Sequence, residues 1–356
     1  MLEANAFWIE KPGVGALRRE PLRHPADGEV LVRTLYTGIS RGTETSVFNG
    51  RVPASERERM RAPFQEGEFA GAADGEPDGY EPIKYGYLNV GVVQDGPQAL
   101  TGQTVFTLFP HQSAFVVPAD AVTVVPDRIP PRRAVLAGAV ETAVNVLWDA
   151  APVVGDRVSV IGAGMIGCCV ARLLRGILGV DVALLDVDPA RKEVADKLDV
   201  RFVDVADAPH DRDIVINTSG SDAGLQLALE TVVSDGEVIE ASWYGDRPAT
   251  LRLGADFHSR RLSIRSSQVG AVAARRRAQR TPGQRLELAM QFLRDPAFDA
   301  LLTAESSWRE LPEVMSSIAN GSRTGLCHTI RWLEQSSAEQ NSAEQNSAEQ
   351  DKGNPE

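Results

Sequence analysis

Cysteine is nearly absent from this sequence: Cys168, Cys169 and Cys327 are the only three in 356 residues. Two of them are adjacent, so no disulfide framework is implied. Long apolar runs are missing as well, which leaves no candidate membrane span. The N-terminus carries acidic Glu3 and no apolar core, so it lacks the pattern of a signal peptide. Positive charge is in deficit, with 37 Lys and Arg against 49 Asp and Glu and a net charge of −12. That balance disfavours a general binder of nucleic acid or of anionic membranes. What remains is the expectation of a cytoplasmic enzyme. At 43% apolar and 24% charged residues, the chain is long enough for two ordinary globular cores.

Part of the acidity lies at the end of the chain. Glu334, Glu339, Glu344, Glu349, Asp351 and Glu356 stand there against one Lys352, among Ser-Ala-Glu-Gln-Asn copies begun by Ser337, Ser342 and Ser347. No apolar residue larger than Ala occurs in the copies. Residues 334–356 are therefore expected to form a disordered tail.

What is present is organised around residues 158–186, VSVIGAGMIGCCVARLLRGILGVDVALLD. An apolar run suited to a strand buried on both faces is followed by a glycine turn, a helical segment, a second apolar run and Asp186. In the turn Gly162-Ala163-Gly164-Met165-Ile166-Gly167, Gly162 permits the tight bend and Gly164 lets backbone approach a pyrophosphate. Gly167 allows the helix to pack closely on the strand. Amides at the helix start, through Met165 and Ile166, stabilise phosphate charge. Asp186 can accept hydrogen bonds from the adenosine ribose and would repel a 2′-phosphate, which favours NAD over NADP. Arg191, one helical turn on, can pack over the same ribose or adenine, or pair with Asp188.

Before this unit the pattern is β-rich. Residues 29–36 alternate well, residues 90–93 and 114–117 are shorter β runs, and turn residues separate them. An insertion over residues 53–82 combines a charged helical piece at 55–61 with a Gly- and acid-rich loop, and reads as a lid or substrate-contact loop. Residues 132–150 form a helix leading into the dinucleotide unit. Later strands are expected at 212–217, 236–240 and 262–265, with helices at 225–230, 285–293 and 311–319 and a final strand at 329–332. The alternation builds a parallel sheet by right-handed crossovers. Ligands sit at the carboxyl ends of such strands, which places Thr218, Ser242 and Ser267 around the cofactor. Thr142, on the entering helix beside Glu141, is a further candidate for contact with nicotinamide.

The order of parts, with Gly38-Ile39-Ser40-Arg41-Gly42-Thr43-Glu44 and Pro82-Ile83-Lys84-Tyr85-Gly86-Tyr87-Leu88-Asn89-Val90-Gly91, resembles the medium-chain dehydrogenase/reductase superfamily. The resemblance spans residues 7–333. It implies an α/β chain with a GroES-like irregular β-barrel domain (1–125) and a Rossmann doubly wound parallel-sheet domain (126–290). A C-terminal return (291–333) would close the first domain. Within the superfamily, Ser40-Arg41-Gly42-Thr43-Glu44 and Met60-Arg61-Ala62-Pro63-Phe64-Gln65 look most like the branch of bacteriochlorophyllide-type dehydrogenases. The resemblance also implies a homodimer through strands near residues 253–267, and a small alcohol or carbonyl as substrate.

Zinc-dependent members carry Gly-Ile-Cys-Gly-Thr-Asp where this chain has Gly38 to Glu44, and Gly-His-Glu where it has Gly86-Tyr87-Leu88. The ligand Cys becomes Ser40 or Arg41, the ligand His becomes Tyr87, and the third ligand falls near 138–141. No cysteine occurs between residues 1 and 167, so the structural zinc loop is missing too. No metal is therefore expected. Another group must then stabilise charge on the substrate oxygen during hydride transfer. Arg41 as fixed positive charge, Tyr87 as hydrogen-bond or proton donor, Thr43 as relay hydroxyl and Glu44 beside them form the candidate catalytic set. For Arg41 the competing reading is a buried ion pair with Glu44 or Glu141. Two other functions stay open: a catalytically decayed nicotinamide-binding protein, and a zinc dehydrogenase with atypical ligands such as Ser40, Glu44, His111 and Glu141.

Overall fold

A computed structural model of the chain describes residues 2–69 and 81–333. Strands β1 (Leu2–Lys11) and β2 (Val14–Leu22) form an antiparallel hairpin. The next strand, β3 (Glu29–Ile39), is the axis of the first large sheet, of seven strands. It pairs antiparallel with β4 (Asn89–Asp95), with β6 (Ala114–Pro118) and with β15 (Cys327–Arg331). Outward from these lie β5 (Thr104–Thr107), β7 (Val122–Val124) and β14 (Leu302–Ser307), in the order β14-β15-β3-β4-β5-β7. The last strands of the described chain thus return to the first sheet. After Ser40, β3 leads straight into helix α1 (Arg41–Phe48).

The glycine-turn segment builds a six-stranded sheet in the order β10-β9-β8-β11-β12-β13, parallel throughout. Its strands are β8 (Arg157–Ile161), β9 (Asp181–Asp186), β10 (Arg201–Asp204), β11 (Arg212–Asn217), β12 (Val232–Glu240) and β13 (Ser263–Ser266). Helices α4 (Met165–Arg175), α5 (Arg191–Lys197) and α6 (Asp222–Thr231) make the crossovers. Strand order reverses between β8 and β11, the place where doubly wound sheets open a ligand crevice.

The two sheets share one apolar core. Helix α3 (Ala137–Ala150) packs against α4 and α7 (Pro282–Phe292) on one side. On the other it meets Leu88 so closely that a Cβ on Gly138 would lie 2.7 Å from the leucine Cδ2. Leu88, Val90 and Phe106 of the first sheet thereby join Val158, Val160 and Ile216 of the second in a single cluster. No helix among the described residues is long and apolar enough to cross a membrane.

Three readings change. Residues 55–61 do not form a helix: only a single 3-10 turn, Ala54–Glu56, is present. The segment Ser55 to Arg61 has no apolar stripe to bury, and packing of such a stripe is what stabilises short helices. Residues 132–150 divide into α2 (Pro131–Ala134) and α3. The β1–β2 hairpin begins ahead of the residue 7 start read from the sequence. Residues 70–80 of the expected lid, and the tail 334–356, lie outside the described residues.

Candidate active site

At the mouth of the six-stranded sheet, Gly162 takes φ +102° and a Cβ there would lie 2.7 Å from Ser219 Cα, so the turn after β8 rests on the loop after β11. A Cβ on Gly167 would lie 1.9 Å from the carbonyl oxygen of Gly162, which is how closely α4 packs on the turn. At Gly164, by contrast, a Cβ would meet nothing within 4 Å. Its open side adjoins the start of α4, where Met165 and Ile166 carry unpaired first-turn amides that suit an anion. Asp186 ends β9 with each carboxylate oxygen accepting one amide, from Ala163 at 2.6 Å and from Asp188 at 2.9 Å. Its remaining lone pairs can accept from hydroxyls. Arg191 reaches back to Asp188 at 3.3 Å.

Tyr87 lies near the segment that carries Ser40, Thr43 and Glu44. Burial, reinforced by the charge of Glu44, pushes its phenol up to about 12 against the smaller opposing influence of the Ser40 and Thr43 hydroxyls. It therefore stays protonated at neutral pH and acts as a donor. Glu44 is 2% exposed: one oxygen accepts from the Ser40 amide at 2.8 Å and the other faces His111 Nε2 at 2.8 Å. His111, Thr37 and Trp332 complete this buried network. From the sequence, His111 stands only among the atypical zinc donors, and Thr37 and Trp332 are not among the candidates. Flanking by the apolar runs 105–109 and 115–117 was the available signal that His111 lies inside.

Arg41 forms neither of the ion pairs weighed for it. Glu141 pairs with Arg285 at 3.0 Å and Glu44 with His111. Arg41 Nη1 donates instead to the carbonyl of Arg323 at 2.8 Å, and burial together with the charge of Arg191 lowers its pKa. Arg191 thus lies near Arg41, and Arg41 and Arg323 both act on His328. Nearby His328, 3% exposed, is lowered to about 4 by burial and by Arg323 and Arg41. A base whose folded pKa lies below its ordinary 6.5 adds stability that is complete above pH 6.5 and lost as pH falls towards 4. Urea unfolding of wild type is expected to lose up to about 3 kcal/mol from this group over that window, and His328→Gln to lose correspondingly less. Equal pH slopes for the two proteins would contradict this.

The remaining candidates are engaged in local structure. Thr142 donates to the Gly138 carbonyl at 2.9 Å, and Thr218 points at the Gly162 carbonyl at 2.8 Å. Ser242 accepts the Gly220 amide at 3.0 Å, which joins the loops after β12 and β11. Ser267 donates to Asp149 at 2.6 Å. Trp243, next to Ser242, packs into the apolar cluster of the first sheet and so ties the two sides of the cleft together. Cys168 and Cys327 are both raised to about 12 by burial, which leaves them inert thiols. Among the described residues no group of three or more His, Cys, Asp or Glu side chains could hold a metal ion.

A phosphate-cradling turn with an acid at the end of the next strand, at the reversal point of a parallel sheet, defines a dinucleotide-binding protein. A β-rich sheet that shares one apolar core with that unit narrows the class to two-domain oxidoreductases. No protein-family model matches the chain. It is 26% identical over 254 residues to the starvation-sensing protein RspB of Escherichia coli, covering 67% of this chain and 69% of that one. A structure described as a short chain alcohol dehydrogenase (RspB) from E. coli CFT073, complexed with NADH, superposes with a TM-score of 0.71 at 16% identity, over 92% of this chain and 99% of that one. A structure described as a zinc-binding dehydrogenase from Sinorhizobium meliloti 1021, bound to NADP, gives a TM-score of 0.72 at 14% identity, over 93% and 100% of the two chains. The chain has the fold of the medium-chain dehydrogenase/reductase superfamily, with its GroES-like and Rossmann parts in that order.

Proposed function

We propose that the chain is a nicotinamide-dependent oxidoreductase that interconverts an alcohol and a carbonyl, and that hydroxyls around Tyr87 take the place of a catalytic zinc. The observation that carries this reading is the nearness of two parts of the chain. Arg191, which follows the strand ended by Asp186, lies close enough to act on Arg41, which opens the helix beside Ser40 and Thr43. A bound nicotinamide dinucleotide supplies or accepts the hydride. Gly164 and the amides of Met165 and Ile166 would receive its diphosphate, with Arg41, Arg191 and Arg323 as counter-charge. This assigns Arg41 to the cofactor rather than to the substrate oxygen. Asp186 supports NAD over NADP. The donors at the zinc-ligand positions are poor ones for zinc, since Ser40 and Tyr87 offer neutral hydroxyls and Glu141 is paired with Arg285.

In the direction of reduction, the neutral Tyr87 phenol donates to the carbonyl oxygen as negative charge develops on it. Ser40 and Thr43 then stabilise the phenolate by their own hydrogen bonds, and half-exposed Thr43 connects it to solvent. The likeness of residues 40–44 and 60–65 to bacteriochlorophyllide-type dehydrogenases supports a branch without zinc. A homodimer through β13 fits the position of that strand at the sheet edge, with Ile264 and Leu253 exposed.

One preparation tests these points. NADH is expected to bind more tightly than NADPH, and Asp186→Ala to weaken NADH by about tenfold to a hundredfold, the worth of hydrogen bonds to a charged acceptor. Reduction of at least one member of a carbonyl panel is expected, without dependence on added or chelated zinc. Binding with no turnover across the panel would support the decayed-protein alternative, and chelator-sensitive turnover the zinc alternative. Sedimentation at twice the 38.4 kDa chain mass is expected for the dimer, and at the chain mass otherwise.

A further inference from the structure

We propose that His111 is a positioning residue for the reaction at Tyr87: one buried imidazole spaces the two chain segments, 40–44 and 86–87, whose hydroxyls form the donor cluster. The inference rests on the reading of Tyr87 given above and adds a residue outside that reading. His111 is 1% exposed. Its Nε2 lies 2.8 Å from Glu44, the other oxygen of which accepts the Ser40 amide at 2.8 Å. Through Glu44 the ring therefore fixes the entry to α1 that carries Ser40 and Thr43.

The same ring bounds the other segment. Gly86, immediately before Tyr87, adopts φ +129°, and a Cβ there would lie 2.8 Å from His111 Cδ2 and 3.1 Å from Nε2. Only glycine combines that backbone with that approach. The separation between the Tyr87 phenol and the hydroxyls of Ser40 and Thr43 is thus set by an imidazole lodged between their backbones.

The hydrogen-bond directions give the ring one orientation. Trp332 Nε1 donates to Thr37 Oγ1 at 3.0 Å, and that hydroxyl lies 2.7 Å from His111 Nδ1. With the indole as donor to it, the hydroxyl gives its own proton to Nδ1. In that arrangement Nε2 bears a proton and donates to Glu44. The edge of the ring rests against Phe7, 6.4 Å between centroids, which blocks tilting. Three distant parts of the chain, around Thr37, His111 and Trp332, meet at this ring.

Steady-state kinetics of His111→Ala, His111→Gln and Tyr87→Phe, with NADH binding and thermal melting of each, test the proposal. For His111→Ala, assayed below its melting range, kcat is expected to fall at least thirtyfold while the NADH Kd stays within twofold. His111→Gln, whose amide can still donate to Glu44, should recover a large part of that loss, and free imidazole should partly rescue His111→Ala. A lower melting temperature with wild-type kcat in His111→Ala would show a purely structural ring and overturn the proposal. So would equal losses in the two variants with no response to imidazole. If His111→Ala does not fold, Gly86→Ala crowds the same gap and is expected to lose kcat with NADH binding intact; wild-type kcat there would overturn the proposal. Without any turnover, nitrogen-15 histidine spectra should show His111 protonated on Nε2, and an Nδ1 proton would contradict the assigned network. Loss of activity in Tyr87→Phe with none in His111→Ala sinks this inference alone. Full activity in Tyr87→Phe sinks the reading of Tyr87 and this inference with it.

Discussion

Tyr87→Phe is expected to lower kcat by a hundredfold or more while leaving NADH affinity unchanged. Phenylalanine keeps the ring that packs on Tyr85, 6.1 Å between centroids, so the loss reports the hydroxyl alone. A positioned general acid contributes typically about 10² to 10⁴ in rate, or about 3 to 5 kcal/mol of barrier. Burial and Glu44 push the phenol up to about 12, so it remains a donor through the whole neutral and mildly alkaline range. The reduction rate of wild type should accordingly show no alkaline limb near pH 7 to 9 from this group. Ser40→Ala and Thr43→Ala, each removing one hydrogen bond to the phenolate, should cost less than Tyr87→Phe. A Phe variant within a few-fold of wild-type kcat would remove Tyr87 from the mechanism.

Gly167→Ala is expected to abolish measurable dinucleotide binding while most of the fold survives. The added methyl would lie 1.9 Å from the Gly162 carbonyl oxygen and 2.5 Å from Thr218 Oγ1, distances no real contact reaches. Helix α4 must move away from β8 to accept it, and its first amides then leave the position where they meet a diphosphate. Overpacking of this kind costs about 1 to 3 kcal/mol, so melting should fall by several degrees. NADH affinity should fall by more than a hundredfold in titration calorimetry. Gly164→Ala is the companion variant: with nothing within 4 Å of the new methyl, its melting temperature should match wild type while its NADH affinity drops. Wild-type NADH affinity in Gly167→Ala would mean that the turn after β8 is not where the cofactor lies.

The glycine turn and the acid that follows it were legible because their parts are close in sequence. Gly162, Gly167 and Asp186 fall within one strand–helix–strand unit, and their spacing follows from the geometry of that unit. Ser267 and Thr142 were named from position along the chain, and the structure gives each hydroxyl a local partner that no periodicity signals. The helix read at 55–61 failed because a charged run without an apolar stripe has no surface to pack. Arg41 is read toward the substrate by alignment with a zinc ligand; its bond to the Arg323 carbonyl and its nearness to Arg191 are tertiary contacts that no alignment signals.

Apolar periodicity and turn residues act over a few residues, so the sequence by itself determined the parallel sheet, its glycine turn and the acid at the end of the next strand. Only the tertiary structure decided the donor half of the cleft. Glu44 meets His111 across 67 residues and Thr37 meets Trp332 across 295. Burial and neighbouring charge, which set the protonation of Tyr87 and His328, exist only once those distant segments have packed together.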